Sequence, residues 1–256
     1  MKSRLAAILL GVLAATGAMA ESVKPTVVLV HGAFADSSSW NGVIKILERD
    51  AFPVVAIANP LRGVASDAQY VADVVKGLDR PVVLVGHSYG GSVISSSHIA
   101  TSNVKALVYV AAFAPEAGET AAGLSGKFPG STLGPALAAP VALSKGGSDL
   151  YIQQARFHDQ FAADVSASAA ALMAAGQRPI TEAALNEPAS EPTWKSVPSW
   201  FIYGDHDKNI PPEAIAFMAA RAKARETVVV KGASHVVMVS HPEAVAKMIE
   251  RAAAGQ

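Results

Sequence analysis

Short apolar runs recur along this chain of 256 residues, and polar or amphipathic stretches separate them. The runs are rich in valine and isoleucine, and most have no regular polar alternation. They cover residues 26–30, 52–58, 81–85, 104–110, 197–203 and 227–230. Continuous apolar runs of this length are typical of strands that are covered on both faces, as in a parallel sheet.

The stretches between these runs have the spacing of helices. In residues 67–78 the apolar positions form one stripe, and Ser66 can serve as the N-cap. Prolines suited to a first helical turn precede residues 213–222 and 243–254. Residues 91–100 are compatible with a helix after the third run. Alternating strands and helices predict an α/β fold, with a mostly parallel sheet flanked by helices.

One long region, residues 115–197, breaks this alternation. It is rich in alanine, glycine, serine and proline and contains no clear strand. Helical stretches at residues 148–161 and 165–175 carry spaced aromatic and apolar side chains. They favour a helical cap, inserted before the late strands and folded over the strand ends, rather than a poorly ordered insertion.

The N-terminus has the order of a secretory signal peptide. Lys2 and Arg4 precede an apolar run, and Ala18-Met19-Ala20 gives the small-x-small pattern after which signal peptidase cuts. The apolar run is too short to span a bilayer comfortably, although an uncleaved anchor is the alternative. We expect cleavage after Ala20, export to the periplasm or medium, and no stable membrane insertion afterwards. Residues 21–256 then form a single domain.

Composition excludes several kinds of chemistry. The chain has no cysteine, so disulfides, thiolate metal sites and a catalytic cysteine are excluded. Lysine and arginine number 21, as do aspartate and glutamate, and no basic block indicates a nucleic-acid partner. No metal-ligand cluster is visible, and the oligomeric state stays open.

The strongest chemical signal follows the third apolar run and reads Gly86-His87-Ser88-Tyr89-Gly90. A serine hydroxyl is a poor nucleophile unless its geometry is forced and a base removes its proton. The G-x-S-x-G pattern sets the serine on a sharp strand-to-helix turn, where side chains in place of the glycines would collide with neighbouring backbone. We therefore predict that Ser88 is a nucleophile.

The base and the acid must lie on loops after late strands, in the chain order serine, acid, histidine. His235 follows the last apolar run and is the predicted base. The other histidines beyond the motif fit structural, pocket-lining or surface positions: His98, His158, His206 and His241. For the acid, both Asp205 and Asp207 follow the fifth run. Spacing favours Asp207, Asp205 is better suited to bonding turn amides, and Glu116 is a distant third option.

A tetrahedral intermediate needs two donors aimed at its oxyanion. One should be the backbone N–H of Tyr89, directly after the nucleophile. The other should come from the loop after the first strand, and we expect it to be the N–H of Ala33. Gly32 lets that loop approach the reacting centre, and the ring of Phe34 should face the acyl group.

Four segments together resemble the α/β-hydrolase superfamily: residues 28–33, 86–91, 204–211 and 232–235. Residues 234–242 resemble the branch that holds small carboxylesterases, plant-type methylesterases and hydroxynitrile lyases. The resemblance implies a sheet of eight strands or slightly fewer, a cap between the fourth and fifth strands identified above, and no cofactor. It also implies roles for five residues, as nucleophile, base, acid and oxyanion hole: Ser88, His235, Asp207, Ala33 and Tyr89.

The chain departs from the lyases of this branch at two positions. Those lyases carry a threonine after the first-loop histidine and a lysine after the catalytic histidine, whose charge stabilises departing cyanide. Here the two positions hold Gly32 and Val236. Epoxide hydrolases and dehalogenases of the superfamily differ further, because their nucleophile is an aspartate.

The sequence therefore predicts a serine carboxylesterase that acts on small to medium esters through an acyl-enzyme on Ser88. Phe34, His158 and Val236 are the candidates for lining the substrate pocket. The alternatives are a cofactor-free haloperoxidase or perhydrolase on the same triad, a hydroxynitrile lyase, and a ligand receptor without catalysis. Acyl and alcohol specificity stay open.

Overall fold

The computed structural model describes residues 23–99 and 102–256, so the predicted signal peptide lies outside the described residues. The strands are β1 (Thr26–Val30), β2 (Val54–Ile57), β3 (Val82–His87), β4 (Val104–Val110), β5 (Val141–Ala142), β6 (Ser148–Leu150), β7 (Ile180–Thr181), β8 (Ser199–Gly204) and β9 (Glu226–Val230). Six of them pair in parallel in the order β2-β1-β3-β4-β8-β9. The predicted α/β fold is confirmed, with a six-stranded main sheet.

Helices cover this sheet and recur through the inserted region. They are α1 (Asn41–Arg49), α2 (Val64–Lys76), α3 (Tyr89–Ser95), α4 (Ala121–Gly126), α5 (Leu133–Ala136), α6 (Gln154–Phe161), α7 (Ala167–Gly176), α8 (Glu182–Asn186), α9 (Pro212–Arg221), α10 (Val237–Ser240) and α11 (Pro242–Ala254). Among residues 23–99 and 102–256, no helix combines the length and the apolar character that crossing a bilayer requires.

The central strands are apolar because both of their faces are covered. Every residue of β1, β3 and β8 is buried. Tyr109 of β4 stacks on Phe201 of β8 with ring centroids 4.5 Å apart. At the edge of the sheet, β9 alternates between more and less exposed residues, and Val229 is solvent-exposed. Burial on both faces thus explains the runs without polar alternation, and the carboxyl ends of these strands meet at one edge.

The start of α2 differs from the sequence prediction. The helix begins at Val64 rather than after Ser66, whose hydroxyl instead donates to Gly63 O. The acceptor for the first free amides is the Glu187 carboxylate, at 2.7 Å from Val64 N and 3.0 Å from Ala65 N. Because this cap comes from a residue far along the chain, the local pattern could not reveal it.

The third helix is also shorter than predicted. The helix-compatible stretch over residues 91–100 is helical only to Ser95, where α3 ends. Ser96 then forms an isolated bridge with Pro192, and a 3₁₀ turn follows at Ser97–Ile99. Contact with the inserted region therefore ends the helix early.

The inserted region, residues 115–197, contains α4 to α8 together with a small antiparallel sheet in the order β5-β6-β7. The expectation that it holds no strand is wrong, and residues 148–150 are strand rather than helix. Strands of two or three residues are too short to give a periodic signal. The Arg62 guanidinium fastens this sheet to the main domain, 2.7 Å from Asp149 Oδ1 and 2.9 Å from Pro179 O.

Candidate active site

Ser88 lies on a sharp turn between β3 and α3. Its backbone has φ 53° and ψ −122°, a conformation that L residues rarely adopt. A Cβ on Gly86 would lie 2.6 Å from Gly90 O, and a Cβ on Gly90 would overlap Val30 O. Only glycine fits at both positions, so the close packing of strand, turn and helix holds Ser88 in this strained conformation.

His235 and Asp207 meet beside this turn. His235 Nδ1 is 2.7 Å from Asp207 Oδ2, and both side chains are almost completely buried. The other carboxylate oxygen, Asp207 Oδ1, accepts from Asn209 N at 2.8 Å and from Ile210 N at 3.0 Å. These bonds hold the carboxylate in place and orient the imidazole, with Nδ1 bearing the hydrogen.

The other two candidate acids lie elsewhere. Asp205 is exposed, and its Oδ1 accepts from Gly232 N at 2.6 Å, the turn role considered for it above. Glu116 forms an ion pair of 2.6 Å with Lys195. Of the three carboxylates, the structure brings Asp207 to His235.

Ser88 and His235 line the same cavity. No hydrogen bond joins Ser88 Oγ to the imidazole within the described residues. In unliganded hydrolases this bond is often long and tightens only when substrate binds. The shared cavity wall and the orientation of the imidazole are therefore the relevant geometry.

His87, inside the G-x-S-x-G motif, is a supporting residue that the sequence reasoning missed. It is fully buried, its Nε2 lies 3.2 Å from His235 O, and the two ring centroids are 4.8 Å apart. No described residue forms a hydrogen bond with His87 Nδ1. Burial, helped by His235, holds the pKa of His87 well below its usual range. A neutral His87 thus donates from Nε2 and fixes the backbone of His235.

His31 fixes the loop after β1 in a similar way. Its Nε2 accepts from Asn59 N at 3.0 Å, and Asn59 Nδ2 donates to His31 O at 2.9 Å. The hydrogen therefore resides on Nδ1, which lies 3.0 Å from Gly32 O. Burial lowers the pKa of His31, so the ring is neutral. Both nitrogens of this imidazole therefore form hydrogen bonds that hold the loop carrying Ala33 in place.

That loop passes directly over Ser88. A Cβ on Gly32 would lie 2.6 Å from Ser88 Cβ and 3.1 Å from Tyr89 N. The amides of the next two residues differ in whether they form a hydrogen bond. Phe34 N donates to Arg178 O at 2.9 Å. For Ala33 N, no acceptor occurs among the described residues. Ala33 and Tyr89, whose amides are the predicted oxyanion donors, line the same cavity as Ser88.

Tyr89 is itself anchored by its hydroxyl. Tyr89 Oη donates to Asp67 Oδ2 at 3.0 Å, and the same oxygen accepts from Arg62 N at 3.1 Å. Burial raises the pKa of Asp67, although these bonds act against the shift. The buried side chain of Tyr89 therefore fixes the amide that follows Ser88.

The cavity above Ser88 measures about 280 Å³. None of its lining residues is Asp, Glu, Lys or Arg. Its larger apolar side chains are Phe34, Phe113, Leu133, Leu137, Phe161, Leu185 and Ile210. Phe161 of the inserted region packs on His235 with ring centroids 5.0 Å apart, so the insertion rests directly on the site. The enclosure favours apolar, uncharged groups.

Of the three predicted pocket residues, Phe34 lines this cavity, whereas His158 and Val236 do not. His158 Nε2 lies 2.9 Å from Val165 O, which keeps the imidazole within the inserted region. Val236 is fully buried and immediately precedes α10, so its side chain belongs to the core. His98, His206 and His241 do not line the cavity either. Over residues 23–99 and 102–256, no cluster of three or more potential metal ligands occurs.

Comparison with known proteins defines the class. Residues 27–248 match the model of the alpha/beta hydrolase family, so the chain belongs to this family. It is 24% identical to Alpha/beta hydrolase nvfD of Aspergillus novofumigatus, over 90% of this chain and 97% of that protein. It is also 24% identical to Alpha-hydroxynitrile lyase of Arabidopsis thaliana, over 84% of this chain and 92% of the lyase.

Among solved structures, polyneuridine aldehyde esterase superposes with a TM-score of 0.75 at 19% identity, over 89% of this chain and 98% of the esterase. At this identity the likeness concerns the fold. An esterase and a hydroxynitrile lyase therefore both stand among the proteins similar to this one, and the predicted resemblance to that branch of the family is confirmed.

Proposed function

We propose that the protein is a serine carboxylesterase that hydrolyses uncharged esters of small to medium size through an acyl-enzyme on Ser88. The observation that carries this proposal is the convergence of three elements on one cavity. These elements are the strained Ser88 turn, the Asp207–His235 pair at 2.7 Å, and two backbone amides beside the serine.

In the first half of the reaction, Ser88 Oγ attacks the ester carbonyl while His235 Nε2 takes the hydroxyl proton. The carbonyl oxygen becomes an oxyanion, which accepts from the amides of Ala33 and Tyr89. Asp207 stabilises the imidazolium without taking its proton. The intermediate then collapses, His235 delivers the proton to the departing alkoxide, and the acyl group stays on Ser88.

The second half repeats these steps with water. His235 Nε2 removes a proton from water, the hydroxide attacks the acyl carbonyl, and the proton returns to Ser88 Oγ as the carboxylic acid leaves. The substrate follows from the lining of the cavity. Burial of an unpaired charge is costly, and no Lys, Arg, Asp or Glu side chain lines this cavity to pair with one. Uncharged acyl and alcohol groups are therefore favoured.

A hydroxynitrile lyase is the second candidate, and the Arabidopsis relative favours it. Two observations weigh against the lysine-dependent form of that chemistry. Val236 is fully buried and outside the cavity, so a cation at this position would not face the leaving group. A threonine in place of Gly32 would collide with Ser88 Cβ and with His87 O, at 2.6 and 2.7 Å from its Cβ.

The test is turnover of a panel of p-nitrophenyl and alkyl esters by the purified chain that begins at Glu21. Ser88→Ala should lower kcat by about 10⁴-fold or more. Ser92→Ala is the matched control, because Ser92 is buried on α3, four residues after Ser88, and its hydroxyl has no described partner. Comparable turnover by Ser88→Ala and the control would contradict the proposal.

Export is a further part of the proposal and has its own test. The N-terminal sequence supports cleavage after Ala20. Expression of the full chain in a bacterial host, followed by N-terminal sequencing of the periplasmic or medium fraction, should give Glu21 as the first residue. Retention in the cytoplasm with Lys2 still present would contradict export.

A further inference from the structure

Phe34 lines two separate cavities. One is the cavity above Ser88, of about 280 Å³. The other, of about 120 Å³, lies between the loop after β1 and α7, and we call it the α7 groove. The groove is lined by Phe34, Ala35, Asp36, Ser38, Ser39, Leu172, Met173, Gly176 and Gln177. The two lining sets share Phe34 alone, so we take this residue as the wall between them.

A backbone hydrogen bond and a ring contact hold Phe34 in place. The backbone of Phe34 has φ 60°, and its N–H donates to Arg178 O at 2.9 Å. Its ring packs edge-to-face against Phe161 with centroids 6.2 Å apart, and only 3% of the residue is exposed. A positive φ in a bulky residue is strained and persists only where the surroundings fix it.

The far wall of the groove is equally well defined. Gln177, directly after α7, receives a hydrogen bond from Ile152 N at 2.9 Å and donates to Ile152 O at 2.9 Å. Its amide also donates to Ala174 O at 3.0 Å, so this one side chain connects the end of α7 to Ile152. The groove is therefore a formed space and needs no movement of α7 to exist.

We propose that Phe34 is a specificity-determining residue, whose ring ends the catalytic cavity and excludes longer substrates from the α7 groove. The inference rests on the proposed function, since it concerns the substrate of the same site. Removal of the ring joins the two spaces and creates a subsite for an extended linear chain. The groove side chains Leu172 and Met173 offer it apolar contact.

The key variants are Phe34→Ala, which opens the wall, and Gly176→Trp, which fills the groove from its other side. A Cβ on Gly176 would meet nothing closer than Asp36 Oδ2 at 3.9 Å, so a side chain can start toward the groove there without a clash at its Cβ. For each variant, kcat/KM is measured for octanoate and butanoate p-nitrophenyl esters and for octyl and butyl acetates. Ratios of long to short substrate within one variant cancel any general loss caused by the proximity of Phe34 to Ala33.

Each methylene that gains burial is worth about fourfold in kcat/KM. The long-to-short ratio of Phe34→Ala should therefore rise by about tenfold or more in at least one of the two series. Phe34→Leu, which keeps a partial wall and is the milder change, should rise less. Gly176→Trp alone should keep the wild-type ratio, and the double variant Phe34→Ala/Gly176→Trp should return to it. An unchanged ratio in Phe34→Ala and Phe34→Leu, or a rise that persists in the double variant, would overturn the proposal.

A binding measurement separates this inference from the proposed function. In the Ser88→Ala background, calorimetry measures the affinities for 1-hexanol and 1-decanol. Adding Phe34→Ala should raise the affinity for 1-decanol relative to 1-hexanol by about tenfold, compared with the variant that keeps Phe34. If this shift occurs while the wild-type chain hydrolyses no ester, the esterase proposal is contradicted and the role of Phe34 as a barrier is supported. If esters are hydrolysed and neither ratio changes, the role of Phe34 is contradicted and the esterase proposal is supported.

Discussion

Acidification should destabilise the folded protein through His87, and the size of the effect follows from its burial. The native state keeps His87 neutral, with a pKa well below the usual value, whereas the unfolded chain protonates it near pH 6.5. The unfolded state therefore binds more protons, so stability falls as the pH drops below about 6.5. Between pH 7 and pH 5, His87 alone should lower the free energy of unfolding by about 2 kcal/mol. His31, whose pKa is also lowered, adds to this loss.

The assay is urea unfolding followed by tryptophan fluorescence at pH 7, 6 and 5. In His87→Gln the amide can still donate toward His235 O but does not titrate, so the loss between pH 7 and 5 should shrink by about 2 kcal/mol. His206→Gln is the matched control, because the His206 side chain is 70% exposed, and it should keep the wild-type loss. The same loss in His87→Gln as in the wild type would show that His87 does not cause the loss of stability on acidification.

Three further substitutions test the site. Asp207→Asn should lower kcat by about 10⁴-fold because the amide no longer fixes the imidazole tautomer. Asp205→Asn is the control and should change ester kcat little. Similar losses in both variants would contradict the assignment of Asp207 as the acid. Val236→Lys should lower the free energy of unfolding by about 3 kcal/mol or more in urea titrations, since it buries an unpaired cation. Neither this variant nor the wild type should release measurable cyanide from mandelonitrile. Tyr89→Phe leaves the buried Asp67 carboxylate without one donor and should cost about 1–3 kcal/mol in the same titrations, while a stability equal to wild type would remove the anchoring role of the hydroxyl.

The sequence identified the features that depend on local chemistry. The apolar runs predicted all six strands of the main sheet because their burial on both faces leaves a continuous pattern. Boundaries shifted by up to two residues at each end, as for β2, which covers Val54–Ile57 within the predicted 52–58. The turn at Ser88 was also predictable, since the glycines that it requires are part of the motif itself.

Features that depend on distant contacts were missed. The support that His87 gives to His235 arises from neighbouring strands and loops far apart in sequence. The Glu187 cap on α2 has the same origin. His158 and Val236 were placed in the pocket from their position along the chain, but tertiary packing turned one side chain toward Val165 and buried the other in the core. No local pattern encodes such orientations.

The most direct test of the central claim is to trap the acyl-enzyme. The purified chain is mixed with p-nitrophenyl butanoate and quenched in acid within milliseconds, and its peptides are analysed by mass spectrometry. A butanoyl group is expected on the peptide that contains Ser88, with fragment ions assigning it to that serine, and none is expected in Ser88→Ala. Full ester turnover with no acyl adduct at any time point, or with the acyl group on another residue, would contradict it.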